Sequence, residues 1–213
     1  MKRTIILSIA TLVVLLTSCQ GQNSKVVSDT TTMSYELSDL YIPTDNTQFY
    51  FPSNFDSFKN KWYSKHLFAM REPILFSDSS QTETYRFVWL RTFDNPIAIR
   101  IEKQQNIYLL TWKLCNGAGG YEPGKLIIAK QKQIDEITWE NFKKLLNKIN
   151  FWNMKTEVET MGLDGSQWIL EGKVAKKYHV VDRWSPERGA YYECCDFLIG
   201  LTDLTFNEKN GKY

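Results

Sequence analysis

Three polar residues late in the chain, Glu171, His179 and Arg183, are of the types used in hydrolysis. They fall in two alternating segments, about Gln167 to Lys173 and Lys177 to Trp184, that predict a hairpin. A turn centred on Ala175 sets Glu171 opposite His179, with Arg183 following on the face shared with Ile169 and Val181. A carboxylate beside an imidazole orients it and raises its basicity, as general-base catalysis requires. The same spacing also gives a plain cross-strand charge pair on a solvated or helix-covered face, which needs no substrate. Asp164, in the turn before this hairpin, fits a residue that bonds its own backbone better than it fits a third catalytic group.

The loop from Asn116 to Gly124 is rich in glycine and resembles a phosphate cradle at first sight. Glu122 stands where the third glycine of a Gly-x-Gly-x-x-Gly run belongs, and a strand follows rather than a helix, so no aligned amides await a pyrophosphate. The loop is read instead as a hairpin connection, or as a platform that presents Tyr121 to a partner. Seven tryptophans invite a stacking role, but most fall on the apolar phase of their segments; Trp152 and Trp184, at segment ends, are the two expected to reach a surface. With His66 and His179 the only histidines, a zinc site built on two or three imidazoles has too few ligands. Gly-x-Ser-x-Gly, Ser-x-x-Lys and His-Glu-x-x-His runs are absent. The sequence therefore predicts no cofactor and no metal, and leans away from an enzyme.

The elements that must hold these residues are readable from periodicity. Ser53 as cap, with Asp56 three residues on and Phe55, Phe58 and Trp62 at helical spacing, predicts a helix that ends before Glu72 and Pro73. Four alternating runs follow: Tyr85, Phe87 and Trp89; Ile97, Ile99 and Ile101; Tyr108, Leu110, Trp112 and Leu114; and Leu126 with Ile128. Thr138 is the expected cap of a helix carrying Phe142, Leu145, Leu146 and Ile149. Ser185 with Pro186 is the expected start of a last helix, with Tyr191, Cys194 or Cys195, Leu198 and Leu201 as its stripe. The fold expected is α+β: a single domain over 47–213, largely an antiparallel meander with about three helices packed on it. Cys115 could reach Cys194 or Cys195, but buried thiols suit a domain with a large core better.

The start of the chain has a different character. Lys2 and Arg3 precede an apolar run from Ile5 to Leu16, then Thr17, Ser18 and Cys19, the parts of a secretory signal. The run is too short to span a bilayer as a helix, which takes about 20 residues. Leu16-Thr17-Ser18-Cys19 resembles the lipobox of bacterial lipoproteins. That resemblance implies cleavage after residue 18, diacylglycerol on the Cys19 sulfur and a further acyl chain on the new amino group, and several chains together make an anchor stable. Residues 19–46, rich in Ser, Thr, Asp, Gln and Asn, then read as a flexible tether. Gln20 and Gly21 do not resemble an inner-membrane retention signal, so the expected address is the cell envelope, on the outer membrane facing the periplasm. Of the 26 basic and 24 acidic residues, loss of residues 1–18 takes Lys2 and Arg3 and no acid, leaving 24 of each. A neutral chain argues against nucleic acid, whose phosphates need an excess of Lys and Arg. The expected partners are the membrane, through the anchor, and an envelope protein or small ligand.

The stretches Trp62-Tyr63-Ser64, 117–124, 162–168 and Tyr178 to Pro186 resemble a group of uncharacterised bacterial envelope proteins. The resemblance covers about residues 53–204 and implies a single domain, with no activity or site residue to carry over. The two functional expectations are a non-catalytic binding or interaction module and, as the alternative, an envelope hydrolase using Glu171, His179 and Arg183. Tyr121, Asp164 and Trp184 are the candidate ligand contacts.

Overall fold

In the computed structural model, residues 48–160, 162 and 164–206 are described. The expected signal segment, Cys19 and the expected tether lie outside them. Strands β1 (Glu83–Arg91), β2 (Ile97–Gln104), β3 (Ile107–Cys115), β4 (Leu126–Ile134), β5 (Ser166–Val174) and β6 (Lys177–Trp184) form one sheet, with helices α1 (Ser57–Ala69), α2 (Glu136–Lys148) and α3 (Ala190–Gly200). The fold is α+β, and every strand pair is antiparallel. The order β4-β3-β2-β1-β5-β6 shows a meander for the first four strands only. After β4 the chain passes through α2 and returns to lay the β5–β6 hairpin on the free side of β1. β1 is thus hydrogen-bonded on both sides and buried along nearly its whole length.

Alternation sorts the side chains into two cores. Tyr85, Phe87, Trp89, Ile99, Trp168 and Leu170 meet Trp139, Phe142 and Leu146 of α2 and Cys194, Cys195 and Leu198 of α3. On the other face Val88, Leu90, Ala98, Ile169 and Val180 meet Tyr63 and Leu67 of α1, together with Tyr50, Phe51 and Phe55. Cys115 belongs to the second core and the α3 cysteines to the first, so the sheet separates them and all three are free, buried thiols. Burial pushes the Cys115 and Cys194 thiols up to about 12.

Each helix starts elsewhere than its expected cap. Asp56, not Ser53, caps α1 by accepting from the Lys59 amide. Of the three aromatics at helical spacing, Phe55 is buried just before the helix and Trp62 is half-buried, but Phe58 is 74% exposed, and α1 buries Asn60, Tyr63, Ser64, His66 and Leu67. The polar members of that face bind the entering chain, since Asn60 donates to the Phe51 carbonyl and Ser64 Oγ accepts from the Tyr50 amide. α2 is capped by Asp135, which accepts from Thr138, the expected cap. α3 begins after Gly189 (φ 96°), and Ser185 closes the hairpin by pairing with Ser166 through backbone and hydroxyl.

Candidate functional site

The β5–β6 hairpin turns through Ala175 and Lys176, so Val174 faces Lys177, Gly172 faces His179 and Glu171 faces Val180. This register is one residue away from the expected one. With a side-chain period of two, such a slip sends a residue to the opposite face of the sheet. Glu171 therefore lies on the α1 side, while His179 and Arg183 lie on the side of α2 and α3. Glu171 is fully buried against Arg86, whose Nη2 is 2.6 Å away, and accepts from Tyr178 at 2.8 Å. His179 packs on Phe151 with ring centroids 5.2 Å apart; burial lowers its pKa, Lys177 and Arg183 act in the same direction, and the Met154 backbone opposes them. Arg183 donates to the carbonyls of Thr156 and Lys155 and lies 5.7 Å from the centre of the Tyr191 ring. The three candidate catalytic residues share no site, because one of them is on the wrong side of the sheet.

The glycine loop is closed on itself. The amides of Gly117, Ala118, Gly119, Gly120 and Tyr121 donate to the carbonyls of Pro123, Glu122, Asp94, Thr92 and Ala118, which leaves no cradle for an anion. A Cβ at Gly119 would stand 2.6 Å from the backbone of Leu90 and Arg91, so this position requires glycine for close approach. Tyr121 is 58% exposed and lies 6.0 Å from Phe93, itself 59% exposed, while Trp62 donates to the Gly119 carbonyl. Trp152 is half-buried beneath Lys177, 4.4 Å from its ring centre, and Asp164 is exposed.

Among the sequence candidates, Trp184 lines a cavity. An open cleft of about 410 Å³ lies on the α1 side of β5 and β6, floored by Gln167, Asp182 and Trp184 and walled by Lys59 and by Glu157, Glu159 and Thr160. Alternation along β6 sets Asp182 and Trp184 on this face. The wall is held to the edge of β6 because the Asp182 amide donates to the Thr156 carbonyl at 2.7 Å. Gly162 lies flat against the Trp184 indole, where a Cβ would come within 2.1 Å of Nε1.

The charges in the cleft are unequal. Asp182 Oδ2 accepts from Lys59 Nζ and from the Tyr63 hydroxyl, both at 2.9 Å, while Oδ1 is buried with no hydrogen-bond partner among the described residues. Lys59 also lies 3.4 Å from Glu157 Oε1, so one ammonium serves two carboxylates while Glu159 adds a third. Burial raises the Asp182 pKa against the pull of Lys59 and Tyr63, and Glu157 adds to the rise. Burial works against the Lys59 charge, but Asp182 and Glu157 raise its pKa overall. A cation or a hydrogen-bond donor entering the cleft would find an unfilled acceptor and excess negative charge. Among the described residues, no group of three or more His, Cys, Asp or Glu is placed to hold a metal ion.

Asp182 and Lys59 escaped the sequence reading. One signal was available: Asp182 interrupts the apolar row of Val180 and Trp184 at an inward phase, and an inward carboxylate must find a partner. Comparisons of the chain with protein-family models, with curated proteins and with solved structures gave no match.

Proposed function

We propose that this protein is a non-catalytic binding module, carried on the bacterial cell envelope by acyl chains on Cys19, and that the cleft over Trp184 receives a small amine-bearing ligand. The observation that supports this most is the buried, unpartnered Asp182 Oδ1 in a cleft whose three carboxylates face a single lysine. A buried acceptor left without a donor costs about 1–3 kcal/mol, which a ligand N–H would recover. The indole of Trp184 adds a surface on which a cation is attracted by about 0.5–2 kcal/mol. The dispersal of Glu171, His179 and Arg183 removes the geometric support for hydrolysis by that trio.

The test is calorimetric titration of the mature protein with putrescine, glucosamine and glucose, repeated with Trp184→Ala. Saturable binding of the two amines, weak or absent binding of glucose, and loss with Trp184→Ala are expected. Failure of both amines to bind, or binding indifferent to Trp184→Ala, would reject the ligand class. Mass spectrometry of the native product tests the anchor separately, and a mature species without fatty acyl mass would remove the envelope tether from the proposal.

A further inference from the structure

A second recess lies on the same face of the sheet, beyond the other end of α1. It measures about 300 Å³ and is lined by Arg71, Arg100, Thr111, Lys113, Leu126 and Gln131, among others. Beneath it runs a buried ladder of charge. Tyr178 donates to Glu171, Glu171 pairs with Arg86, Arg86 Nη1 lies 3.5 Å from Glu72, and Glu72 pairs with Arg100 at 3.0 Å and Lys113 at 2.9 Å. Arg100 also pairs with Glu102. The carboxylates are therefore shared: three cations meet on Glu72 alone. Burial by itself would raise the Glu72 pKa, but Arg100, Lys113 and Arg86 hold it below the ordinary value.

Arg71 adds a fourth cation to Glu72, Glu171 and Glu102, and its guanidinium makes no ion pair among the described residues. Its backbone is unusual. α1 ends with the Glu72 amide bonded to the Leu67 carbonyl and the Arg71 amide to the Phe68 carbonyl, the closing pattern that puts the intervening residue in the left-handed region. Arg71 sits there at φ 52°, a position at which glycine is the unstrained residue. A long cationic side chain thus occupies a strained site at the mouth of a recess whose other cations are matched, Arg86, Arg100 and Lys113 by Glu72, Glu171 and Glu102, and Lys130 by Asp203. Strain of this kind at a cleft points toward function. The Thr111 hydroxyl accepts from Gln131, leaving its own proton to donate. Leu126 and Ala129 supply an apolar wall.

We propose that this recess is a binding site for a small organic carboxylate, its oxygens met by Arg71 and the Thr111 hydroxyl and its hydrocarbon part set against Leu126 and Ala129. One negative charge balances the one unmatched cation. The site is separate from the amine cleft and stands whether or not that cleft binds its ligand.

The test is titration of the full mature chain with sodium butyrate, sodium benzoate and inorganic phosphate at constant ionic strength, for the wild type, Arg71→Gly and Arg71→Lys, with thermal unfolding of each. Butyrate or benzoate is expected to bind saturably and more tightly than phosphate. Arg71→Gly should weaken that binding about tenfold or more, the scale of one charged hydrogen bond, and should raise the melting temperature by relieving the left-handed strain. Arg71→Lys, which keeps charge and strain, should bind more tightly than Arg71→Gly. The proposal is overturned if no carboxylate saturates the wild type, if phosphate binds more tightly than either carboxylate, or if Arg71→Gly binds as the wild type does.

Discussion

Stability should fall between pH 6.5 and 4.5 because of one imidazole. His66 is fully buried in α1; burial depresses its pKa to about 3, the neighbouring Lys65 charge acts in the same direction, and the Gly119 carbonyl opposes both too weakly to reverse them. Neither ring nitrogen makes a hydrogen bond of normal geometry. The unfolded chain protonates this ring near 6.5 and the folded chain does not until about pH 3. As pH falls through that window the unfolded state binds the extra proton, so the stability present above 6.5 is progressively lost. Each pH unit is worth about 1.4 kcal/mol, so at pH 4.5 the loss is about 2.7 kcal/mol. For a domain of this size that lowers the melting temperature by roughly 5–11 °C. Urea unfolding of the wild type and His66→Leu at pH 7.0, 6.0, 5.0 and 4.5 measures the effect as a difference between two proteins. His179 and the buried carboxylates contribute equally to both. The stability of the wild type relative to His66→Leu should fall steadily toward pH 4.5, and two parallel stability profiles would refute the reasoning.

Glu171→Gln should destabilise the fold by about 3–5 kcal/mol by leaving Arg86 buried with only the distant Glu72 as counter-charge, whereas the double variant Glu171→Met with Arg86→Met should lie close to the wild type. Denaturant midpoints compare the three. Below pH 4, Asp78 should contribute to a further loss beside Glu72: burial opposes its ionisation, but Lys173 and Ser80 hold its pKa to about 2, so the contribution present above 3.8 disappears as pH falls through 2. In Asp78→Asn, acid unfolding followed by circular dichroism should lose that limb. Gly172→Ala should destabilise strongly, because a Cβ there would stand 2.6 Å from the Phe151 ring and 2.9 Å from the Tyr85 ring; thermal unfolding checks it, and an unchanged melting temperature contradicts the packing.

The sheet was the legible part of this protein. Tyr85, Phe87 and Trp89 share a face as their alternation predicts, and the same holds for Ile97, Ile99 and Ile101. Both faces of β1 are buried, yet its apolar alternation survives because Thr84 and Arg86 break the inward row facing α1. Helix starts were less legible because Ser53, Thr138 and Ser185 are all good caps by type, and the choice among neighbouring cap residues is made by tertiary contacts. The inward face of α1 was legible only in part, because apolar spacing finds Phe55 and Trp62 but also the exposed Phe58, and misses Asn60 and Ser64, which turn inward to bind the backbone of residues 50 and 51. The hairpin turn decided the fate of the catalytic trio, and a one-residue ambiguity in a Val-Ala-Lys-Lys turn cannot be resolved from periodicity. The cleft was out of reach for another reason: Lys59 and Asp182 are 123 positions apart and meet only when α1 docks on the last hairpin.

The position of β1 also governs how the chain can acquire its shape. Its second neighbour, β5, is synthesised only after the whole meander and α2. Until β5 and β6 arrive, β1 presents a long row of unpaired amides and carbonyls beside Phe87 and Trp89, a template on which another chain could add. Contacts so distant in sequence are slow to close. A polypeptide emerging in vectorial order, amino end first, would hold this vulnerable intermediate for the time needed to deliver β5 and β6, and truncation before Ser166 should leave an aggregating species rather than a smaller stable domain.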